Sequence, residues 1–150
     1  MLSSSGQFIQ KLGKFIEKIK FTQNIRTESE LELSILPDIE DFIQKELPTQ
    51  DKDTPVFYHH GTTKEEKLLW SKSKTLQTVH LFGSNVSDMF IFHHKIGAVT
   101  IEFKYTKSNK LTSQIQRAIG QSIIATMRHP FAICVIVYKK CRKIPDARIF

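Results

Sequence analysis

Apolar residues recur at helical spacing near the start of the chain, at Phe8, Ile9, Leu12, Phe15, Ile16 and Ile19, with Lys11, Lys14, Lys18 and Lys20 beside them. The pattern predicts a basic amphipathic helix over residues 5–21. Such a helix suits a membrane surface or a packing surface, and its regular stripe without tryptophan favours packing, on the chain's own core or on a second copy. A second helix starts at Thr27, where Glu30 three residues on completes a capping box. Leu31, Ile35, Leu36, Ile39, Phe42, Ile43 and Leu47 then follow a 3.6-residue period up to Pro48, with Pro37 expected to kink or divide the helix.

Residues 48–75 are polar and turn-rich and read as an insertion, with one short strand candidate at Val56–Tyr58 and a basic run from Lys64 to Lys74. The first core strand is expected at Leu76–Phe82. Asp88–Phe92 and Ala98–Tyr105 then form a hairpin around His93, His94, Lys95, Ile96 and Gly97. After a polar loop, Ser113 with Gln116 predicts a capped helix that runs to His129 before Pro130. Gly120 inside it is expected to mark a close approach to the sheet. The apolar run Phe131–Tyr138 reads as a strand buried on both faces.

With 150 residues the chain is expected to be one domain, long enough to bury about two-thirds of its unfolded surface. Its parts are an N-terminal helix (1–26), a core (27–140) and a basic tail (141–150). Charge changes the picture more than length does. A net charge of +7 favours an anionic partner, nucleic acid first and an acidic membrane surface second, although a basic surface also serves solubility. Two cysteines, Cys134 and Cys141, make neither a disulfide framework nor a zinc site. No stretch approaches the roughly 18 apolar residues of a membrane span, and the start lacks a signal-peptide pattern. A cytoplasmic, reduced setting follows as the expectation.

Candidate chemistry centres on the hairpin. Strand alternation puts Glu102 and Lys104 on one face and Val99, Ile101 and Phe103 on the other. Thirteen residues separate Asp88 from Glu102, enough for the hairpin to return Asp88 beside them. Two carboxylates and an ammonium at one sheet edge suit a hard divalent cation, with the Phe103 carbonyl within reach of the same ion. Glu102 and Lys104 also fit a plain same-face ion pair. Lys104 is no base while protonated, so orienting a hydroxide and offsetting transition-state charge is the safer role. At about 100° per residue, Glu32 points toward the core-facing stripe of its helix and Glu28 lies one turn earlier; both also fit simple helix N-terminal charge. On the later helix, Gln114, Arg117 and Gln121 share one stripe, a solvated edge or a phosphate-binding one. His93 and His94 at the hairpin tip read as turn residues, or at most phosphate contacts, since neighbours on a strand point oppositely and make a poor metal pair.

This arrangement resembles the restriction-endonuclease-like, or PD-(D/E)XK, nuclease superfamily, over residues 27–140 and in the order helix, three strands, helix, strand. The resemblance implies an α/β fold with an αβββαβ core, a mixed four-stranded sheet flanked by helices, and the amphipathic helix as an addition. It implies a catalytic set of Asp88, Glu102, Lys104 and Gln121. It also implies a metal site from Asp88, Glu102 and the Phe103 carbonyl, with Glu28 or Glu32 added from the first core helix. Mg2+ is the expected ion and Mn2+ a substitute. Gln114, Arg117, Lys107 and Lys110 would contact DNA. Gln121 matches the glutamine of a Q-x3-Y pattern whose last position is here Ala125, and Ser87 stands where the family name has proline. The expected activity is metal-dependent hydrolysis of DNA phosphodiesters by an activated water, structure-selective as in junction resolvases or restriction-like, with RNA as an alternative substrate. A homodimer is expected, on the stripe Phe8, Leu12, Phe15 and Ile19, and no small-molecule cofactor. A non-catalytic nucleic-acid-binding module and a partner-docking protein are the competing readings.

Overall fold

Thr27 starts the principal helix as its spacing to Glu30 predicts. In the computed structural model, which describes residues 4–21, 25–47, 56–72, 79–80, 84–107, 111–127 and 129–139, the Thr27 hydroxyl accepts from the Glu30 amide at 3.1 Å. The Glu30 carboxylate reaches back to the Arg26 amide at 2.7 Å, so two orphaned donors are satisfied. In chain order the elements are α1 (Ser4–Lys18), α2 (Glu28–Glu46), β1 (Val56–His59), α3 (Lys64–Lys72), β2 (Val79–His80), β3 (Ser84–Asn85), β4 (Met89–His93), β5 (Gly97–Lys107), α4 (Leu111–Thr126) and β6 (Phe131–Lys139). No helix among the described residues is long and apolar enough to cross a membrane.

α2 continues through Pro37, where the sequence predicts a kink or division. Leu31 and Ile35 before the proline, and Ile39 and Ile43 after it, are all at most 2% exposed. At about 1.5–3 kcal/mol per buried side chain, their packing outweighs the roughly 3 kcal/mol that an internal proline costs. They meet Met89 and Ile91 of β4, Val99, Ile101 and Phe103 of β5, and Val135 of β6 in one core.

α1 packs on α2. The Phe8 and Phe15 rings lie 5.9 and 4.7 Å from the Phe42 ring, centroid to centroid. Phe8 and Leu12 are buried. The stripe that suggested a second copy is therefore covered largely by the chain's own helix, and the argument for a dimer through it falls away.

The fold is α/β. Four strands form a mixed sheet in the order β1-β4-β5-β6, flanked by helices. β1 pairs antiparallel with β4, β4 antiparallel with β5, and β5 parallel with β6. A parallel pair needs a crossover, and α4 supplies it. The first strand of this sheet is Val56–His59, inside the segment read as an insertion. The expected first strand at Leu76–Phe82 is represented among the described residues only by Val79–His80, paired with β3 in a separate two-stranded ladder. The excursion thus falls between β1 and β4, and it carries α3.

Two local expectations for α4 also change. The helix begins at Leu111, so Ser113 lies inside it and is not its cap. A Cβ at Gly120 would meet nothing within 4 Å, so this glycine marks open space and not a close approach to the sheet.

Candidate active site

The hairpin turns at Gly97, whose φ of +77° is a left-handed conformation that glycine adopts without a steric penalty. In the resulting register Met89 lies opposite Ile101, which places Asp88, one residue earlier, beside Glu102. The Asp88 backbone is held as well: its carbonyl accepts from the His60 amide at 2.9 Å. The His60 ring Nδ1 lies 2.5 Å from the Ser87 carbonyl. Burial pulls the His60 ring below its ordinary pKa, against the raising effect of that carbonyl, so it is a neutral ring that donates here.

Glu102 and Lys104 emerge together from the face of β5 opposite Phe103, as alternation predicts, and both are buried. The Lys104 ammonium donates to Glu102 Oε1 at 2.8 Å, to the Phe103 carbonyl at 2.7 Å and to Glu28 Oε1 at 3.2 Å. Its three donors are used, which fixes its position. Burial pulls its pKa down, but the charges of Glu102, Asp88 and Glu28 outweigh that, and the pKa rises above the ordinary lysine value. Without a metal ion bound, Lys104 is therefore an ammonium.

Both candidate acids of α2 reach the same place. Glu32 is 2% exposed and its Oε2 lies 3.2 Å from His59 Nε2 at the end of β1. Oxygens of Glu28, Glu32 and Asp88 all lie within 4.8 Å of one another. These three acids could hold a metal ion; around an octahedral ion with ligands at about 2.1 Å, neighbouring oxygens lie roughly 3 Å and opposite ones roughly 4.2 Å apart, so the carboxylates would draw together on binding it. Glu102 falls outside the triad; its Oε1 accepts from Lys104, as Glu28 Oε1 does. The Phe103 carbonyl, an expected ligand, is likewise occupied by Lys104, while the Phe103 amide donates to Asp88 Oδ2 at 2.7 Å.

Charge makes the same case. Four carboxylates, Glu28, Glu32, Asp88 and Glu102, face two ammonium groups, Lys104 and Lys67, the latter paired to Asp88 Oδ1. Uncompensated charge away from water is expensive. Burial first, then the Asp88 charge, pushes Glu102 up to about 7. Burial likewise raises Glu32, with the His59 contact opposing. A divalent cation would further compensate these carboxylates when they are ionised, beside Lys64 and Arg117, which also line the cleft.

Lys67 was not among the residues singled out from the sequence, where it counted only as part of a basic run. Thr63 and Glu66 frame the start of α3 as a second capping box: the Glu66 amide donates to the Thr63 hydroxyl at 3.1 Å, and the Glu66 carboxylate accepts from the Thr62 and Thr63 amides. Those hydrogen bonds hold the Glu66 carboxyl below its usual range. The T-x-x-E spacing was a legible signal for a helix there. Its aim at Asp88 was not. Burial pulls Lys67 down, but the Asp88 charge and hydrogen bond prevail and its pKa is raised. His59 was missed too; its place one strand step beyond Tyr58 was the available clue.

A cleft of about 360 Å³ opens over this face, lined by Glu28, Glu102, Lys104, Lys67, Arg117 and Gln121 among others. Arg117 is exposed at its edge. Gln121 Oε1 is buried without a hydrogen-bond partner among the described residues, an open acceptor facing a polar cleft. Gln114, on the same helix stripe, does not line the cleft. The Lys107 side chain and all of Lys110 lie outside the described residues. His93 and His94 lie at the turn, with ring centroids 4.4 Å apart, and the His93 Nδ1 accepts from the Lys95 amide at 3.2 Å.

No family model, no curated protein and no solved structure matches the chain.

Proposed function

We propose that the chain is a metal-dependent endonuclease of the restriction-endonuclease-like class that hydrolyses DNA phosphodiesters. The observation that carries this reading is the convergence, on one buried polar face, of Asp88, Glu102 and Lys104 with Glu28, which lies 76 residues from Lys104. Packing alone does not require it, because apolar residues in those positions would cost less. The order α2, β1, β4, β5, α4, β6 supports the class. A divalent cation held by Glu28, Glu32 and Asp88 would polarise a phosphodiester oxygen and acidify a water beside it.

The chain's own groups have separable roles. Glu102 and the Phe103 carbonyl hold the Lys104 ammonium in place, so its charge is aimed before substrate arrives and offsets charge developing on phosphorus. Arg117 offers a planar pair of donors to a phosphate at the cleft edge. Gln121 offers its unpaired carbonyl to a donor from a water or a nucleotide. RNA carries the same phosphates and remains the alternative substrate.

The test is incubation of the protein with plasmid, linear and branched DNA, with Mg2+ or Mn2+ against EDTA. Cleavage with either ion and none in EDTA supports the reading. A second reading, a non-catalytic nucleic-acid-binding module on the same fold, is favoured by the Lys67 ammonium on Asp88, which already supplies a positive charge there. Salt-sensitive DNA binding without cleavage under any of these conditions selects it.

A further inference from the structure

The two cleft lysines are held very differently. Lys104 sits on β5, 6% exposed at its side chain, with three acceptors. Lys67 sits on α3, 27% exposed at its side chain, and among the described residues its ammonium has one acceptor, Asp88 Oδ1. Asp88 Oδ2 accepts from the Phe103 amide at 2.7 Å, so Oδ1, which no backbone group holds among the described residues, is the better placed of the two to take a cation. A lysine and a divalent ion at one oxygen of the fully buried Asp88 carboxylate would repel each other. Lys67 lines the cleft that opens to solvent, which gives its ammonium somewhere to go without disturbing the β-sheet.

We propose that Lys67 is a built-in competitor for the cation: its ammonium holds Asp88 in the metal-free protein and leaves when a divalent ion binds, so cation loading loosens α3 from the floor of the cleft. The inference rests on the metal reading above and adds to it a positioning residue and a moving element. The competition is reciprocal: whatever free energy Lys67 gains on Asp88 in the metal-free state is subtracted from cation affinity. α3 carries its own capping box, so it can remain helical when the Lys67–Asp88 ion pair opens.

Calorimetry with Mn2+ alone, in the absence of DNA, tests this on the full chain. Lys67→Met keeps the stem and removes the charge; it is expected to bind Mn2+ about tenfold more tightly than wild type, within the usual range of coupling between sites. Lys67→Arg keeps a competing cation and is expected to stay near or below wild type. In EDTA, Lys67→Met should melt lower than wild type, because Asp88 loses its partner, and it should show the larger rise on adding Mn2+. Lys67→Gln serves the same comparison if the methionine variant does not fold. A second readout is amide hydrogen exchange in Lys64–Lys72, expected to quicken in wild type when Mg2+ is added. Equal or weaker Mn2+ binding by the neutral variants, or α3 exchange unmoved by Mg2+, overturns the competition while leaving the metal site standing. If wild type and Lys67→Met both fail to bind Mn2+, the metal reading falls and this inference falls with it.

Discussion

On one face of β5, Val99, Ile101 and Phe103 are enclosed at 0% exposure; on the other, Thr100, Glu102, Lys104 and Thr106 keep between 3% and 7%. The strand is thus dry on both sides, and its two sides are chemically opposite. The apolar face meets α2 and is what a folding core needs. The polar face lies under α4 and beside α3, and carries two charges that hydrophobic residues of similar volume would replace at no loss of stability, and often at a gain. A chain that keeps charged groups in such a place is spending stability on something other than folding. That contrast is the physical ground for placing chemistry there.

The largest expected effect breaks the apolar side. Phe103→Ala should cost about 3–5 kcal/mol in urea unfolding, from lost transfer energy and a cavity. A loss of less than about 1 kcal/mol would mean that the two faces do not differ as described.

Glu102→Gln should move the other way in the metal-free protein. The Glu102 pKa rises from 4.5 to about 7 on folding. Between those values the folded state binds the extra proton, so its contribution is fully present below pH 4.5 and is lost as pH rises through 7. At pH 8 the ionised group therefore weighs against the fold, by up to roughly 3 kcal/mol. Melting in EDTA should show Glu102→Gln more stable than wild type at pH 8, with the gap closing toward pH 5. Comparing the two chains at each pH cancels the opposite contribution of His60, whose lowered pKa favours the fold above its ordinary value of 6.5. A variant that is less stable than wild type at pH 8 would show that Glu102 is a structural ion-pair partner first.

Which parts of this were legible in the chain follows from how local each signal is. The Thr27–Glu30 cap, the α2 period and the alternation from Val99 to Lys104 are written within a few residues of one another, and each appears in the structure where expected. β1 was legible as a short strand at Val56–Tyr58, but it was placed in an insertion and not in the core sheet because it borders a polar stretch and its sheet position comes from pairing with β4, some thirty residues later. The choice between Glu28 and Glu32 stayed open for a similar reason. Helical phase favours Glu32, and it is the buried one, but the flexible Glu28 side chain still reaches Lys104 from the helix's first turn. Lys67 was invisible in its role, since nothing near it in the chain indicates Asp88.

The smallest effect probes the edge of the polar face. Arg117 is exposed, so Arg117→Ala should leave stability within about 0.5 kcal/mol of wild type. It should weaken DNA binding and lower the slope of log affinity against log salt by about 1, the signature of one phosphate contact. The parent slope should itself be steep: roughly six phosphate contacts lose about three decades of affinity between 50 and 200 mM salt. An unchanged slope in the variant would remove Arg117 from the interface.

The central claim is that the polar face of β5, with Asp88 at its side, is a metal-dependent cleavage site. Single-turnover nicking of supercoiled plasmid in Mg2+, by wild type and by Asp88→Ala shown to be folded by circular dichroism, tests it most directly. The account predicts cleavage by wild type that disappears in EDTA, and an Asp88→Ala rate no higher than that EDTA background. Cleavage by Asp88→Ala at the wild-type rate would contradict it.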